Sequence, residues 1–423
     1  MVAERESVKT LLFEQWQGGH YFNYLECLIP ALAEFCDEVV VAVTERAASS
    51  ELFARQLAPL ARLGNVRFDT EVPFPQGSGL AFRRQLGTNV LEAIARHRPD
   101  FVFLPSADEQ LLALPLLALS GHRRALRGVA IEAVIHYPSY SASDTGRERL
   151  VSALQRGLLR SGVFSQLHFV NYLQYEDVQA HRWRWQGMAR AAGDPVPQPP
   201  RLDRRAARVA LGLDPGGRYL GMIGGLDSRK SVPATLAAFR AAKLPLTDRF
   251  LLAGQMTPEY ARLVREDYAD LVGSGRLVVL DRFLSDQELA QGFAALDVHC
   301  SVYHCFAGLS SLMLKSVAAG APVIVGDQPG WARATVRRFG VGHIADHRSV
   351  AGFARVLTEA LDASDGAPPS EAVKRLLRFH SLANFTEGLV ERAALAAGRP
   401  RGTPVLPWSW VVEALAPERR LLR

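Results

Sequence analysis

Two glycines followed by two cations, in the stretch Met222–Val232, form a combination that suits phosphate binding. Gly224 and Gly225 let the backbone turn tightly and approach a ligand closely. The helix predicted after this turn offers free N–H groups and the positive end of its dipole, and Arg229 and Lys230 add two positive charges. A plain strand–turn–helix connection is the alternative, although Lys230 is one of only five lysines in the chain.

A second stretch, Tyr303–Ile324, begins at the end of a predicted strand and contains a helix predicted to start near Gly308. The small residues Gly308, Ser310 and Ser311 at this helix start leave room for a phosphate against the backbone amides, and Leu309, which lies between them and faces the core, belongs to the same candidate donor-binding stretch. Gly308, Ser311 and Lys315 are spaced to share one helix face. Lys315 needs an anionic partner there, because an unpaired buried ammonium is costly. A buried crossover helix explains the same pattern without a ligand.

Alternating short β-branched runs and longer helical patterns must position these residues, and they predict parallel βαβ units. In the first half the predicted strands are Val8–Glu14, Glu38–Thr44, Val66–Thr70, Asp100–Leu104, Val129–His136 and Gln166–Asn171. In the second half they are Tyr219–Ile223, Arg249–Ala253, Leu277–Leu280, Val298–Val302 and Pro322–Val325. The predicted helices between them include Tyr21–Cys36 and Leu80–Arg96.

The proline-rich segment Gly193–Pro200 separates the two halves and lacks apolar periodicity, so we interpret it as a linker. The fold class is therefore α/β, with two doubly wound Rossmann-like domains facing a central cleft. The predicted domains are an N-terminal, acceptor-side domain over residues 1–195 and a donor-side domain over residues 203–395. Residues 396–423 are predicted to form a tail and a last helix, near Val411–Leu422, that packs back on the body.

Length and composition favour a globular two-domain enzyme: 423 residues, 48% hydrophobic and 22% charged. The net charge of +6 forms no basic stripe with interleaved aromatic residues, which disfavours a nucleic-acid partner. The short patch His181–Trp185 is better explained as a helix with one solvated face than as a contact with membrane or nucleic acid. No apolar leader is visible, and the run Leu111–Leu119 is too short to span a bilayer. We expect a cytoplasmic protein with at most peripheral membrane contact.

The order of four motifs in the second half resembles that of family-4-type retaining glycosyltransferases (glycosyl transferases group 1). These motifs are Gly224–Ser231, Phe250–Gln255, Val279–Leu284 and Gly320–Ile324. The resemblance covers most of residues 203–360. It implies a GT-B fold and sugar transfer from a nucleoside-diphosphate sugar with no metal and no further cofactor. The chain also lacks an Asp-x-Asp motif, which is consistent with a metal-independent site.

The resemblance implies roles for several residues. Lys230 is similar to the family's diphosphate-binding lysine. The helix start at Gly308–Ser311 is similar to the family's helix start that contacts the β-phosphate. The backbone of Arg282, Phe283 and Leu284 resembles the stretch that holds the nucleobase. The segment Gly18, Gly19 and His20 resembles the glycine loop beneath donor and acceptor, with a simple helix-entry turn as the alternative.

This sequence departs from the family pattern in its charged donor-binding residues. Gly225 stands where the family has an arginine, and Arg229 is a possible substitute. The family's pair of glutamates is absent, because no Asp or Glu lies between Asp297 and Asp327. Lys315 stands at the second glutamate position, which in the family contacts the donor ribose.

A catalytic group is expected near the ends of the fourth and fifth strands. The family often has a histidine after the fourth strand, whereas this chain has Asp108 there. His136 ends the next predicted strand and points to the same edge, unless it is a buried structural histidine. His20 and His304 are weaker candidates.

These features predict a retaining, metal-independent glycosyltransferase. It would move a sugar from a nucleoside-diphosphate sugar to a glycan, a lipid-linked acceptor or a small molecule, and hinge closure about the linker would exclude water. A non-catalytic binding or regulatory subunit of the same fold is an alternative that the missing glutamates favour. A nucleotide-sugar epimerase of the same fold is another.

Overall fold

The computed structural model describes residues 7–136, 146–197, 202–304, 308–364, 368–402 and 404–415, with only the backbone given for residues 19, 20 and 146–148. The chain divides into two compact units. Unit 1 comprises Met1–Pro195 and Leu382–Trp408, and unit 2 comprises Val196–Ser381 and Ser409–Arg423.

The first part of the chain alternates strands and helices. Its strands are β1 (Lys9–Glu14), β2 (Glu38–Thr44), β3 (Val66–Val72), β4 (Phe101–Leu104), β5 (Ala130–Ile135), β6 (Gln166–Phe169) and β7 (Ala189–Ala191). Its helices are α1 (Gly19–Ala33), α2 (Glu45–Ala48), α3 (Glu51–Gln56), α4 (Gly79–His97), α5 (Gln110–Leu119), α6 (Gly146–Leu158) and α7 (Tyr172–Ala180).

The second part repeats this alternation. Its strands are β8 (Arg218–Ile223), β9 (Asp248–Ala253), β10 (Leu277–Leu280), β11 (Val298–Ser301), β12 (Val323–Gly326) and β13 (Gly342–Ala345). Its helices are α8 (Arg204–Ala210), α9 (Val232–Ala241), α10 (Pro258–Asp267), α11 (Ala269–Gly273), α12 (Asp286–Ala295), α13 (Ser311–Ala319), α14 (Trp331–Phe339), α15 (Val350–Asp362), α16 (Glu371–Phe379), α17 (Leu382–Ala396) and α18 (Trp408–Glu413).

Both units contain one fully parallel sheet, which confirms the predicted pair of doubly wound α/β domains. The strand order is β3-β2-β1-β4-β5-β6-β7 in unit 1 and β10-β9-β8-β11-β12-β13 in unit 2. The order reverses between β1 and β4, and again between β8 and β11. In such sheets ligands bind at the carboxyl ends of the strands beside this reversal.

Strand prediction succeeded where the apolar runs were long. The predictions for β2 and β10 match the structure residue for residue, and the other predicted strands are correct within about two residues. The two strands missed, β7 and β13, are edge strands of three and four residues. Their sequences, Ala-Arg-Ala and Gly-His-Ile-Ala, lack the β-branched run that the edge strand β10 has, so they carry little strand signal.

Apolar helices cover both faces of each sheet. In unit 1, α1 and α17 pack on one face, and α4 and α5 pack on the other. In unit 2, α9, α10 and α15 pack on one face, while α8 and α12 pack on the other. The cores thus hold the strand ends, where the candidate residues lie, in fixed positions.

The apolar run Leu111–Leu119 is part of α5, a buried element of the unit 1 core. Leu111, Leu114 and Leu117 are buried against the sheet. In the residues for which the structure gives coordinates, no helix is both long and apolar enough to cross a membrane.

The chain returns to unit 1 after α16, a division that differs from the predicted boundary at residue 395. Phe385, Leu389 and Val390 of α17 lie in the same core cluster as α1. Beyond α17, the Trp408 indole stacks on Tyr172 at 4.4 Å and donates a hydrogen bond to Glu176. Apolar contacts of α17 therefore decide which unit it joins.

Two glycines, one after β8 and one after β9, pack backbone against backbone. Gly224 has φ +89° and Gly254 has φ +135°, and a Cβ on Gly254 would lie 2.3 Å from the carbonyl oxygen of Gly224. This contact supports the loop after β8 from behind, and a side chain at residue 254 would push that loop out of place.

Replacing Gly254 with alanine tests this contact. We expect Gly254→Ala to lower the melting temperature more than Gly275→Ala, because both have positive φ but residue 275 faces open space. Positive φ alone costs about 1–2 kcal/mol, and the backbone clash adds to it at Gly254 only. Thermal unfolding monitored by circular dichroism measures the difference; equal losses would show that the contact is unimportant.

Candidate functional site

Lys230 lies buried at the carboxyl edge of the unit 2 sheet, in the loop between β8 and α9. Its side chain is 6% exposed, and its Nζ donates a hydrogen bond to the carbonyl oxygen of Ile223, the last residue of β8, at 2.6 Å. Burial lowers the pKa of Lys230 from 10.5 to about 7, while the nearby Asp227 opposes the shift. Within the described residues no carboxylate forms an ion pair with it. An anionic ligand would supply the missing charge partner.

Tyr303 connects Lys230 to the start of α13. The backbone of Tyr303 forms an antiparallel bridge with that of Lys230, and its hydroxyl lies 3.2 Å from the Ser310 hydroxyl. Ser310 is the N-cap of α13, because its side chain accepts a hydrogen bond from the Met313 N–H. We call the loop 224–231, Tyr303 and the first turn of α13 the phosphate cradle. It joins a buried cation to the positive end of a helix dipole.

The predicted start of α13 at Gly308 is wrong by three residues. The helix begins at Ser311, because the Ser310 side chain caps it. Gly308 and Leu309 precede the helix, so Gly308 does not share a helical face with Lys315. Gly308 is buried, and Ser311 and Lys315, four residues apart, are both partly buried.

The two other candidate positions of the β8 loop differ from Lys230 in exposure. The Arg229 side chain is 67% exposed and pairs with Asp227 at 2.7 Å, so its charge is largely balanced. Gly225 faces open space, which means that its missing side chain leaves the loop accessible to a ligand. Within the described residues, Lys230 is therefore the basic side chain of this loop that has no ion-pair partner.

The loop after β10 has one apolar side chain in the core and one on the surface. The Leu284 side chain is buried in the unit 2 core, whereas that of Phe283 is 70% exposed. Arg282 pairs with Glu288 of α12 at 2.6 Å. Phe283 is thus an uncovered aromatic ring at the same edge of the sheet as the phosphate cradle, and a ring of this kind can stack on a planar base.

Lys315 has no carboxylate partner within hydrogen-bonding distance in the described part of the chain. It lies in the middle of α13, partly buried, and the neighbouring turns contribute Ser311 and Ser316. Its predicted contact with a ligand stays a prediction.

In unit 1, Asp108 and His136 come together at the carboxyl edge of β4 and β5. The His136 backbone N–H donates to Asp108 Oδ1 at 3.1 Å, and its Nδ1 lies 3.6 Å from Asp108 Oδ2. The Tyr24 hydroxyl donates to Asp194 at 2.8 Å, so its oxygen is left to accept from His136 Nε2 at 3.1 Å. Asp108 and Tyr24 thus fix the orientation of the His136 ring, whose face also stacks on Tyr24 at 5.5 Å.

The predicted glycine loop leads into α1. Gly18 has φ +85° and precedes the helix, and Gly19 and His20 form its first residues. Because α1 follows β1, this loop lies at the carboxyl edge of β1, next to the reversal of the strand order.

Glu14 is a functional candidate that sequence reasoning missed. It is the last residue of β1, 1% exposed, and its Oε1 accepts a hydrogen bond from the Trp16 N–H at 2.9 Å. Burial raises the pKa of Glu14 from 4.5 to about 7, while the Trp16 hydrogen bond and His136 lower it. The neighbouring Gln15 amide is buried with no hydrogen-bond partner among the described residues. The sequence signal that could have identified Glu14 is a glutamate at the carboxyl end of an otherwise largely apolar strand.

Solved structures with the same fold cover nearly the whole chain. Anabaena HepE in complex with UDP and glucose has a TM-score of 0.60 at 16% identity, with 92% of this chain and 100% of that chain covered. Sucrose-phosphate synthase from Thermosynechococcus elongatus has a TM-score of 0.65 at 15% identity, covering 92% and 100%. A glycosyltransferase from Rickettsia africae has 0.65 at 12% identity, covering 92% and 98%. The fold is therefore that of GT-B glycosyltransferases.

No family model matches the sequence, and no curated protein matches it significantly. At these low identities the structural likeness establishes the fold, while the activity has to be argued from the site.

The buried carboxyl of Glu14 predicts a pH-dependent stability. Its folded pKa is above its unfolded value, so its contribution is full below pH 4.5 and is lost as pH rises through 7. The loss is about 3 kcal/mol, given about 1.4 kcal/mol per pKa unit. We expect Glu14→Gln to raise the melting temperature at pH 8 and to change it little at pH 5. The exposed Glu92→Gln on α4 controls for the loss of one negative charge. A gain independent of pH would contradict the assignment.

Proposed function

We propose that this protein is a retaining, metal-independent glycosyltransferase that moves a sugar from a nucleoside-diphosphate sugar to an acceptor in the cytoplasm. The observation that carries the proposal is Lys230, a buried ammonium with one carbonyl partner at the carboxyl edge of the unit 2 sheet. A diphosphate bound beside it would restore the balance of charge.

The chemistry of glycosyl transfer suits the phosphate cradle. Negative charge accumulates on the leaving diphosphate as the glycosidic bond breaks, and preorganised cations and N–H groups stabilise it most where water is excluded. Lys230 and the first-turn amides of α13 supply such groups without a metal ion. The exposed ring of Phe283, in the loop after β10 at the same edge of the sheet, is available for the base.

The structural neighbours support the choice of ligand. HepE structures contain UDP, or UDP-glucose, and the other neighbours named above are a sucrose-phosphate synthase and a glycosyltransferase. A uridine nucleotide is therefore the first donor to test.

In unit 1 the candidate catalytic residue is His136, whose ring is oriented by Asp108 and Tyr24. An imidazole held in one orientation can accept a proton from an acceptor hydroxyl or stabilise charge near the anomeric carbon. The acceptor itself belongs to one of three classes: a glycan, a lipid-linked sugar or a small molecule.

A non-catalytic protein of the same fold is the second candidate. Lys315 favours it, because a cation stands in α13 where related enzymes have an acid, as the sequence resemblance implies. A nucleotide-sugar epimerase of this fold is the third candidate, and it would use the same phosphate cradle.

Replacing Lys230 tests the phosphate cradle. Lys230→Ala should weaken binding of UDP, or of whichever nucleoside diphosphate binds, by ten- to a hundredfold, about 1.4–3 kcal/mol for a lost charged hydrogen bond. Binding of the matching nucleoside should change less than threefold. Isothermal titration calorimetry measures both, with the exposed Lys243→Ala as the matched control. Equal weakening of nucleoside and diphosphate would refute the phosphate role.

Turnover separates the three candidate functions. We expect the purified protein, given UDP-, GDP- and ADP-sugars with a lysate of acceptors, to release nucleoside diphosphate only when acceptor is present. Release is measured by a coupled assay, and Lys230→Ala should reduce it strongly. Binding without release across the panel would favour the non-catalytic candidate. Interconversion of the donor sugar without acceptor would identify an epimerase.

A further inference from the structure

A cavity of about 420 Å³ opens at the carboxyl edge of unit 2, between the loops that follow β11, β12 and β13. We call it the β12 cavity. The side chains that line it are His304, Asp327, Gln328, Pro329, His347 and Arg348. Three successive strands therefore contribute polar groups to one place, next to the phosphate cradle and on the side away from the β10 loop.

Two lining side chains have buried polar atoms that lack a hydrogen-bond partner among the described residues: His347 Nδ1 and Gln328 Oε1. The His347 side chain is only 8% exposed, and burial lowers the pKa of this imidazole, which makes it neutral at pH 7. Leaving such atoms unpaired costs about 1–3 kcal/mol each. Polar groups of a ligand in the β12 cavity would satisfy both.

The position of the Gln328 amide is fixed by its neighbours. Its Nε2 donates to the Tyr303 carbonyl oxygen, so its Oε1 is left as an acceptor. The side chain folds over Gly326, where a Cβ would lie 2.2 Å from Oε1. The chain thus has room for this amide only because residue 326 is a glycine. The acceptor oxygen of Gln328 requires a donor group, such as a hydroxyl, from the ligand.

The charges around the β12 cavity disfavour an anion. Among the described residues that line it, Arg348 is the one guanidinium, and it is bound to two carboxylates, Asp327 at 2.8 Å and Asp346 at 2.9 Å. The His304 and His347 rings meet edge to face, with centroids 5.8 Å apart. Neutral imidazole, amide and carboxylate oxygens are suited to a neutral group that carries several hydroxyls.

Tyr303 is shared by the β12 cavity and the phosphate cradle. Its hydroxyl contacts Ser310 at the start of α13, its carbonyl accepts from Gln328, and its backbone is bridged to Lys230. The next residue, His304, lines the cavity and donates its N–H to the Arg229 carbonyl at 2.7 Å. A ligand held at the cradle by its diphosphate would therefore have the cavity beside it.

We infer that the β12 cavity holds the glycosyl group of the nucleotide donor, with Gln328 and His347 hydrogen-bonded to its hydroxyls. This inference rests on the proposed function, because the phosphate cradle anchors the donor. The oxygens that bind the sugar hydroxyls then belong to the loop after β12, at Asp327 and Gln328. The chain has no acidic residue between Asp297 and Asp327.

The test compares nucleoside diphosphates with their sugars. His347→Phe keeps the aromatic ring and removes both nitrogens. It should weaken binding of the nucleotide sugar about three- to tenfold, as expected for one lost hydrogen bond, and leave the nucleoside diphosphate within twofold. Calorimetry with UDP and UDP-glucose, and with the GDP and ADP pairs, measures this. The same substitution at His343, on β13 but away from its carboxyl end, is the matched control.

A second variant covers the case in which His347→Phe does not fold. Gln328→Met removes the acceptor at similar volume, and its melting temperature reports whether the loop persists. We expect the same selective loss of the nucleotide sugar.

The outcomes distinguish a failure of the inference about the β12 cavity from a failure of the proposed function. If the wild-type protein binds no nucleoside diphosphate, the proposed function itself fails. If it binds diphosphates but excludes every nucleotide sugar, the β12 cavity takes no glycosyl group. If both variants bind the sugar and the diphosphate as the wild type does, or lose both equally, the inference is overturned while the proposed function stands.

Discussion

The contact on which unit 2 depends is the hydrogen bond from the buried Lys230 ammonium to the carbonyl end of β8. A cation in this position has lost most of its hydration and gained one carbonyl. Burial of a charge without a partner opposes folding, so the surrounding structure must hold it in place. The bridge to Tyr303 and the close packing of Gly224 against Gly254 provide that support. An anion bound beside Lys230 would lower this cost.

The two units place different titratable groups at the strand ends beside the reversal of strand order. In unit 1 the loop and strand ends beside the reversal of strand order carry Glu14, Asp108 and His136, and in unit 2 they carry Lys230. The parallel sheets explain this, because strand ends beside such a reversal are open to ligands while helices cover both faces. Under the proposed function, the groups of unit 1 take part in proton transfer and Lys230 binds phosphate.

The polar groups of unit 2 are distributed over more strands than a phosphate site alone requires. The phosphate cradle uses the loops after β8 and β11, whereas the β12 cavity uses those after β11, β12 and β13. Tyr303 belongs to both and ties them into one continuous edge.

The sequence by itself determined the two parallel α/β domains and identified Lys230 as a candidate for phosphate binding, because apolar periodicity and glycine-rich turns are local signals. It did not show that Ser310 caps α13, that α17 joins unit 1, or that Glu14 is buried. These features depend on which distant segments meet. Likewise Gln328 and His347 lie nineteen residues apart in the sequence and in no recognisable motif. Only the parallel pairing of β12 with β13 brings the ends of these strands to one cavity.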